Sequence, residues 1–325
     1  MLLDGADMKG KMDTGADQNP NVPAAITDTG CERELNEDRY AVIESASGLA
    51  WLVCDGMGGQ SGGELAAQLA IDAIRRDLEN LPGREPEVAL KNALVEANRV
   101  IVLRRQNQAF ADMGTTIVGA LFNGPEVVIG HVGDSRAYLV RDSAIQPLTT
   151  DHTYVQQLVD AGQIAPDEAL SHPKAHILTR CIGAEPNLEV DMDKFWLWDI
   201  ADDEPRDYLV LCSDGLYSLV SEGEIANALV SESPQHACVK MVELAKARGG
   251  YDNITLAIIP LQGQLRKEPP TGYEKKIAKQ RSRKPAKKEK QASPTSFIRV
   301  FAVLFLLSAL AMLLTVIFMF FRLSQ

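Results

Sequence analysis

Residues 49–56 read LAWLVCDG and residues 208–215 read YLVLCSDG, so two apolar stretches of this chain end on the same dipeptide. A short run of mostly apolar residues is typical of a β-strand that is buried on both faces. A glycine after the aspartate lets the backbone turn sharply at the strand end. Each stretch therefore predicts a strand that holds a carboxylate, Asp55 or Asp214, at the rim of a sheet. Either stretch alone would be more typical of an ordinary turn.

The chain up to about residue 261 alternates between helical and strand-like patterns. Helical spacing of apolar residues occurs over 62–80, 86–108, 153–162, 223–231 and 235–248. Short runs rich in Val, Ile and Tyr, separated by turn residues, occur over 115–122, 126–132, 136–141 and 253–261. Neighbouring strands that are joined by tight turns are antiparallel. We therefore expect an α+β sandwich in which helices cover antiparallel sheets.

Charge is distributed unevenly along the 325 residues. The whole chain carries a net charge of −11, yet residues 266–325 contain 13 Lys/Arg against three Asp/Glu. The first 265 residues are therefore strongly acidic, which argues against a nucleic-acid partner and favours the binding of divalent cations. The five cysteines are scattered without a C-x-x-C spacing, so we expect packed thiols instead of zinc ligands or disulfides. Cys54 and Cys212, inside the two apolar stretches, are predicted to be packing residues.

The two ends of the chain differ from the domain between them. Residues 1–24 are rich in Asp, Gly, Asn and Pro, which predicts a disordered segment. Residues 263–297 form a basic linker with prolines that either lies on anionic lipid or is a solvated tether. Residues 298–322 include 22 uncharged residues from Val300 to Phe321, enough for one transmembrane helix. By the positive-inside rule, the acidic domain would face the cytoplasm.

Acidic residues recur at the turns and strand ends of the acidic domain, at Glu37, Asp38, Asp55, Asp134, Asp214 and Asp252. Converging carboxylates repel one another, and bound cations offset that repulsion. Hard oxygen ligands select Mg²⁺ or Mn²⁺ over zinc. Each position alone is typical of a turn or cap, whereas together they predict a two-metal site.

Arg33 precedes Glu37 by only four residues. A guanidinium beside a carboxylate–metal cluster suits a pair of phosphoryl oxygens. The alternative is an ion pair with Glu32 or Glu34.

Seven ordered blocks make the sequence similar to the bacterial form of the metal-dependent serine/threonine phosphatases of the protein phosphatase 2C family, over about residues 25–261. The blocks are Asp28-x-Gly30-x-x-Arg33-x-x-Asn36-Glu37-Asp38, Asp55-Gly56-Met57-Gly58-Gly59, Gly114-Thr115-Thr116, His131-Val132-Gly133-Asp134-Ser135-Arg136, Asp151-His152-Thr153, Ser213-Asp214-Gly215-Leu216 and Asp252-Asn253-Ile254-Thr255. The resemblance implies an αββα sandwich over residues 25–262, with a metal site in a cleft at one end of the two sheets and a flap at about 161–183.

The resemblance also implies a role for each position of the metal site. Asp55 would bridge two Mn²⁺ or Mg²⁺ ions, and Asp55 and Asp214 would be catalytic. Asp214 and Asp252 would bind the first ion, and the carbonyl oxygen of Gly56 would bind the second.

Further positions follow from the same resemblance. Glu37 and Asp38 would hold metal-bound waters, and Asp134 would share a third ion with Asp214. Arg33 would be a catalytic residue that binds the substrate phosphate, with Asn253 in a supporting position.

The implied function is hydrolysis of phosphoserine and phosphothreonine in proteins by a metal-activated water, without a phosphoenzyme. With the predicted anchor, the enzyme would be a single-pass protein of the bacterial inner membrane that opposes a Ser/Thr kinase. The alternative is a catalytically weak regulator that binds phosphoproteins on the same fold. One departure concerns Gln60, where many bacterial relatives carry His. It either alters protonation of the leaving group or is a silent variation.

Overall fold

The computed structural model describes residues 19–58, 62–81, 83–199 and 206–270. The strands in these ranges are β1 (Ala24–Asp28), β2 (Arg39–Ser45), β3 (Gly48–Cys54), β4 (Gly56–Met57), β5 (Gly114–Thr115), β6 (Ile117–Asn123), β7 (Glu126–Val132), β8 (Arg136–Arg141), β9 (Ala144–Pro147), β10 (Asp191–Trp198), β11 (Asp207–Cys212), β12 (Ile254–Pro260) and β13 (Gln264–Arg266). The helices are α1 (Gly62–Asn80), α2 (Pro86–Arg104), α3 (Tyr154–Asp160), α4 (Asp214–Tyr217), α5 (Glu222–Ser231) and α6 (Pro234–Ala247).

Two antiparallel sheets form the centre of the fold. One has the strand order β1-β12-β11-β8-β9, and the other has the order β13-β10-β7-β6-β3-β2. The short strands β4 and β5 form a separate pair. Helices α1 and α2 pack on the six-stranded sheet, while α4, α5 and α6 pack on the five-stranded sheet. A third apolar cluster fills the space between the sheets. The predicted α+β sandwich with helices outside two antiparallel sheets is confirmed.

The two apolar stretches of the sequence are central strands, and each is buried on both faces. In β3, Leu52 packs under the helices and Val53 packs between the sheets. In β11, Val210 and Leu211 divide in the same way. This alternation explains why both strands are apolar at nearly every position.

Both cysteines of these strands are fully buried, as predicted for packing residues. Burial raises the pKa of the Cys212 thiol to about 12, and burial raises the pKa of Cys54 further still. Neither thiol is a nucleophile at neutral pH, because a nucleophilic cysteine needs a lowered pKa.

Two predicted boundaries differ from the structure, the first by one residue and the second by several. β1 begins at Ala24, inside the segment predicted to be disordered. β13 lies inside the predicted linker, where Leu265 pairs with Leu197, is only 4% exposed and donates its N–H to Asp207 Oδ2 at 2.6 Å. A three-residue strand that carries one apolar side chain has no detectable periodicity.

Within the part of the chain that the structure describes, every helix is too short or too polar to span a bilayer. The transmembrane helix predicted at 298–322 lies outside the described residues, as does most of the predicted linker.

Candidate active site

The fold delivers acidic residues from both sheets to their strand ends. β3 and β7 are parallel to each other because each pairs antiparallel with β6, so Asp55 and Asp134 follow strands that end at the same edge. β11 and β12 pair antiparallel, which places Asp214, after β11, beside Asp252, before β12.

The electrostatics show that these carboxylates converge. Burial raises the pKa of Asp55 well above its ordinary value, and the carboxylates of Asp38, Asp214, Asp134 and Asp252 raise it further. Burial and the charge of Asp214 also raise the pKa of Asp252. Such a concentration of buried negative charge is unfavourable unless protons or cations neutralise it.

Asp38 is held in place by one hydrogen bond and has one oxygen free. Its side chain is 1% exposed, and Ser213 Oγ donates to Asp38 Oδ2 at 2.7 Å. Burial raises the pKa of Asp38 to about 7. Asp38 Oδ1 and Asp214 Oδ1 are both buried without a hydrogen-bond partner. Buried oxygens without a partner are uncommon, and a bound cation would satisfy them.

Asp134 lies near Asp214 in this cluster. It is 6% exposed, and burial followed by the charges of Asp214 and Asp151 raises its pKa to about 8. Tyr217 Oη donates to the main-chain oxygen of Asp134 at 3.0 Å, which joins α4 to the loop after β7.

Glu37 and Asn253 form a polar bridge between the N-terminal loop and β12. The main-chain N–H of Glu37 donates to Asn253 Oδ1 at 2.8 Å, while Glu37 Oε1 accepts from the N–H of Gly63 at 3.1 Å. Asn253 Nδ2 donates to the main-chain oxygens of Thr29 and Leu35. Asn253 is therefore fully engaged in fixing the loop that carries Glu37.

Arg33 is at the exposed margin of the cluster. Its Nη2 lies 2.8 Å from Asp252 Oδ2, and its side chain is 48% exposed. The ion pair is thus with Asp252 and not with Glu32 or Glu34. A guanidinium held by one carboxylate oxygen still has N–H groups available for a phosphate.

Two glycines are required by close backbone approach. Gly30 has φ +80°, and a Cβ there would lie 2.2 Å from the main-chain oxygen of Asp252. A Cβ at Gly215 would lie 2.0 Å from the main-chain oxygen of Asn253. Gly215 therefore does more than let the backbone turn after β11, because it is inside α4 and packs against the chain before β12.

Sequence reasoning gave some residues near the cluster no role in the site. On the predicted flap, His176 Nδ1 is 3.6 Å from Asp214 Oδ2, and Asp214 raises the pKa of His176. Ser213 was visible only as a neighbour of Asp214, although it holds Asp38. Gln60 and Gly59 lie outside the described residues.

Three ligand atoms within 4.8 Å of one another occur, among the residues that the structure describes, at His131, His152 and Asp191 and not within the acidic cluster. The carboxylates therefore converge more loosely than ligands closed around one ion. Their oxygen-only donor set, with its two unpartnered buried oxygens, fits Mg²⁺ or Mn²⁺.

Comparisons with known proteins agree with this geometry. The family model described as protein phosphatase 2C matches residues 32–249. The serine/threonine phosphatase stp of Listeria welshimeri is 35% identical over 240 residues, which cover 72% of this chain and 93% of that protein. The serine/threonine protein phosphatase PstP of Mycobacterium tuberculosis is 36% identical over 239 residues, which cover 72% of this chain and 44% of PstP.

A solved structure shares the fold as well. The catalytic domain of the serine threonine protein phosphatase PstP in complex with two manganese ions superposes with a TM-score of 0.63 at 33% identity, covering 73% of this chain and 96% of that one. The chain belongs to the protein phosphatase 2C family.

Proposed function

We propose that this chain hydrolyses phosphoserine and phosphothreonine in proteins with the help of Mn²⁺ or Mg²⁺. The observation that carries the proposal is the group of buried and partly buried, mutually repelling carboxylates with unpartnered oxygens at Asp38 and Asp214, beside the half-exposed Arg33. The relatives named as serine/threonine phosphatases support the same reaction. The solved PstP structure with two manganese ions supports the choice of metal.

The residues that would hold the cations follow from the family pattern and their placement. Asp55 would contact both ions, with Asp214 and Asp252 on the first and the carbonyl oxygen of Gly56 on the second. Asp134 would share a third ion with Asp214. When bound, these cations supply Lewis-acid stabilisation of phosphoryl oxygens and lower the pKa of water.

The protein itself orients the groups around the phosphate. Ser213 fixes the rotamer of Asp38, and Asn253 fixes the loop of Glu37. The Asp252 carboxylate holds the Arg33 guanidinium at the margin of the cluster. A phosphate that enters from solvent can accept hydrogen bonds there from the remaining N–H groups of Arg33. This arrangement would position a phosphate monoester before attack, which is the main contribution of a protein to phosphoryl transfer.

We expect the 325-residue chain to release phosphate from a phosphothreonine peptide in Mn²⁺, to lose that activity in excess chelator, and to regain it when Mn²⁺ is restored. Phosphate release and peptide binding should be measured on the same preparation. Peptide binding without turnover would support the regulator instead. Faster hydrolysis of a sugar phosphate than of the peptide would contradict a protein substrate, and full activity in chelator would contradict the metal.

We propose further that the chain is anchored in the bacterial inner membrane by residues 298–322 and faces the cytoplasm, where it opposes a Ser/Thr kinase. The support is the uncharged stretch Val300–Phe321 and the basic residues before it. Removing residues 298–325 should shift the protein from the membrane to the soluble fraction with little change in turnover. Removing residues 1–18 is the matched control and should leave it in the membrane fraction. A truncated protein that stays with the membrane would contradict the anchor.

A further inference from the structure

His152 lies between the loop that carries Asp134 and the C-terminal end of the predicted flap. We call residues 177–183 the flap root. The main-chain N–H of His152 donates to the oxygen of Gly133 at 2.8 Å, and its main-chain oxygen accepts from the N–H of Thr179 at 2.8 Å. His152 is 8% exposed. One residue thus contacts both segments through its backbone alone.

The imidazole of His152 repeats this connection. The N–H of Gly133 donates to His152 Nδ1 at 3.0 Å, so the ring proton is on Nε2. Nε2 then donates to Asp191 Oδ2 at 3.2 Å. The second oxygen of Asp191 accepts from Arg180 Nη1, in the flap root, at 2.6 Å. The chain of contacts runs from Arg180 through Asp191 and His152 to Gly133, next to Asp134.

A metal is the obvious alternative at this place, because ligand atoms of His131, His152 and Asp191 lie within 4.8 Å of one another. The contacts argue against it. Arg180 Nη1 is 2.6 Å from Asp191 Oδ1 and 3.1 Å from His152 Nε2, so a guanidinium already supplies the positive charge. His131 Nε2 is 3.1 Å from the oxygen of Gly133 and donates to it. The two rings, 4.3 Å apart, therefore both hold Gly133.

Gly133 depends on such support. Its φ of +110° lies in a region that favours glycine, and a Cβ there would be 2.6 Å from the Thr116 side chain. The main chain directly before Asp134 is thus held in place largely by the hydrogen bonds between Gly133 and the two histidines, His131 and His152.

We propose that Arg180, Asp191 and His152 are positioning residues that couple the flap root to Asp134, so that the cation site sharing Asp134 weakens when the Arg180–Asp191 contact is lost. The proposal rests on the proposed function for the identity of that cation site. Arg180 itself need not contact either the cation or the phosphate.

The test compares Arg180→Met, Asp191→Ala and the double variant with the unchanged 325-residue chain. Hydrogen exchange in chelator should accelerate at residues 132–136 and in the flap root in all three variants, because the shared contact is broken in each. Calorimetric titration with Mn²⁺ should show one site weakened by roughly tenfold, with the other sites unchanged. The double variant should match either single variant.

Two controls separate positioning from general destabilisation. Arg180→Lys keeps a positive charge beside Asp191 and should restore part of the Mn²⁺ affinity. Arg99→Met breaks an exposed ion pair with Glu96 on α2 and should change neither measurement. Equal weakening of every Mn²⁺ site, additive single effects, or unchanged exchange at residues 132–136 would overturn the proposal. The exchange result in chelator does not depend on phosphatase activity, and an unchanged chain without Mn²⁺-dependent turnover would count only against the proposed function.

Discussion

Asp55→Asn is expected to lower Mn²⁺-dependent hydrolysis of a phosphopeptide by roughly a thousandfold or more, while making the metal-free domain more stable at pH 8. Asp55 is the carboxylate whose pKa is raised by burial and by four other acidic side chains, so it is the centre of the cluster. An amide keeps the shape of the side chain but cannot neutralise a cation. It also removes a carboxyl group whose ionised form is disfavoured in the folded protein, which should raise the free energy of unfolding in chelator by about 1–3 kcal/mol. Activity and stability then change in opposite directions, as expected where a site is built at the expense of stability.

The matched control is Asp142→Asn. Asp142 lies in the turn between β8 and β9 with φ 54°, a conformation that asparagine also adopts readily. This variant should leave activity and stability unchanged. Phosphate release and urea unfolding should be measured for both proteins, each with Mn²⁺ and with chelator. Retained turnover in Asp55→Asn would remove Asp55 from the proposed metal site. A metal-free variant less stable than the parent would show that the Asp55 charge is compensated within the protein.

The fold could be predicted largely because its central strands carry a strong signal. The stretches at 49–54 and 208–213 are apolar on both faces, and the structure places each of them inside a sheet, with a paired strand on either side. Strands at sheet edges were harder. β13, at the end of the domain, has one buried apolar residue, and β1, at its start, follows a polar segment. Their pairing depends on strands distant in sequence, which local periodicity does not contain.

The site was predictable to the extent that its residues carry charge. The acidic residues after β3 and β11 were evident because a carboxylate follows an apolar strand. The uncharged or distant supports were not. Ser213, which holds Asp38, and the contact of Gly215 with Asn253 depend on β11 and β12 lying side by side. His152 is part of a recognisable block, but its link to Asp191 requires the register of β10 against β7. Such contacts between distant parts of the chain have no counterpart in local spacing.

The metal-free domain is expected to become less stable as the pH rises from about 6.5 to about 8. Burial raises the pKa of Asp38 to about 7 and that of Asp134 to about 8. In the unfolded chain the same carboxyls lose their protons near pH 4. The folded state therefore binds more protons than the unfolded state across this interval, so acidification stabilises it. This stabilisation is lost as the pH rises past the folded-state pKa values of Asp38 and Asp134. Each proton contributes up to about 1.4 kcal/mol per pH unit.

The increase in stability should level off below about pH 6.5. Burial lowers the pKa of His131 to about 4 and also lowers that of His152. As the pH falls, these two histidines therefore bind protons in the unfolded chain before they do so in the folded chain. With saturating Mn²⁺, stability should instead rise with pH above about 6.5, because the cation competes with protons for the same carboxylate oxygens. Urea unfolding at several pH values, with chelator and with Mn²⁺, measures how the free energy of unfolding depends on pH in each condition. Asp134→Asn should make this dependence weaker in the metal-free protein. A metal-free stability that is constant or rises with pH would mean that Asp38 and Asp134 are ionised in the folded protein without a cation, and that the cluster does not need one.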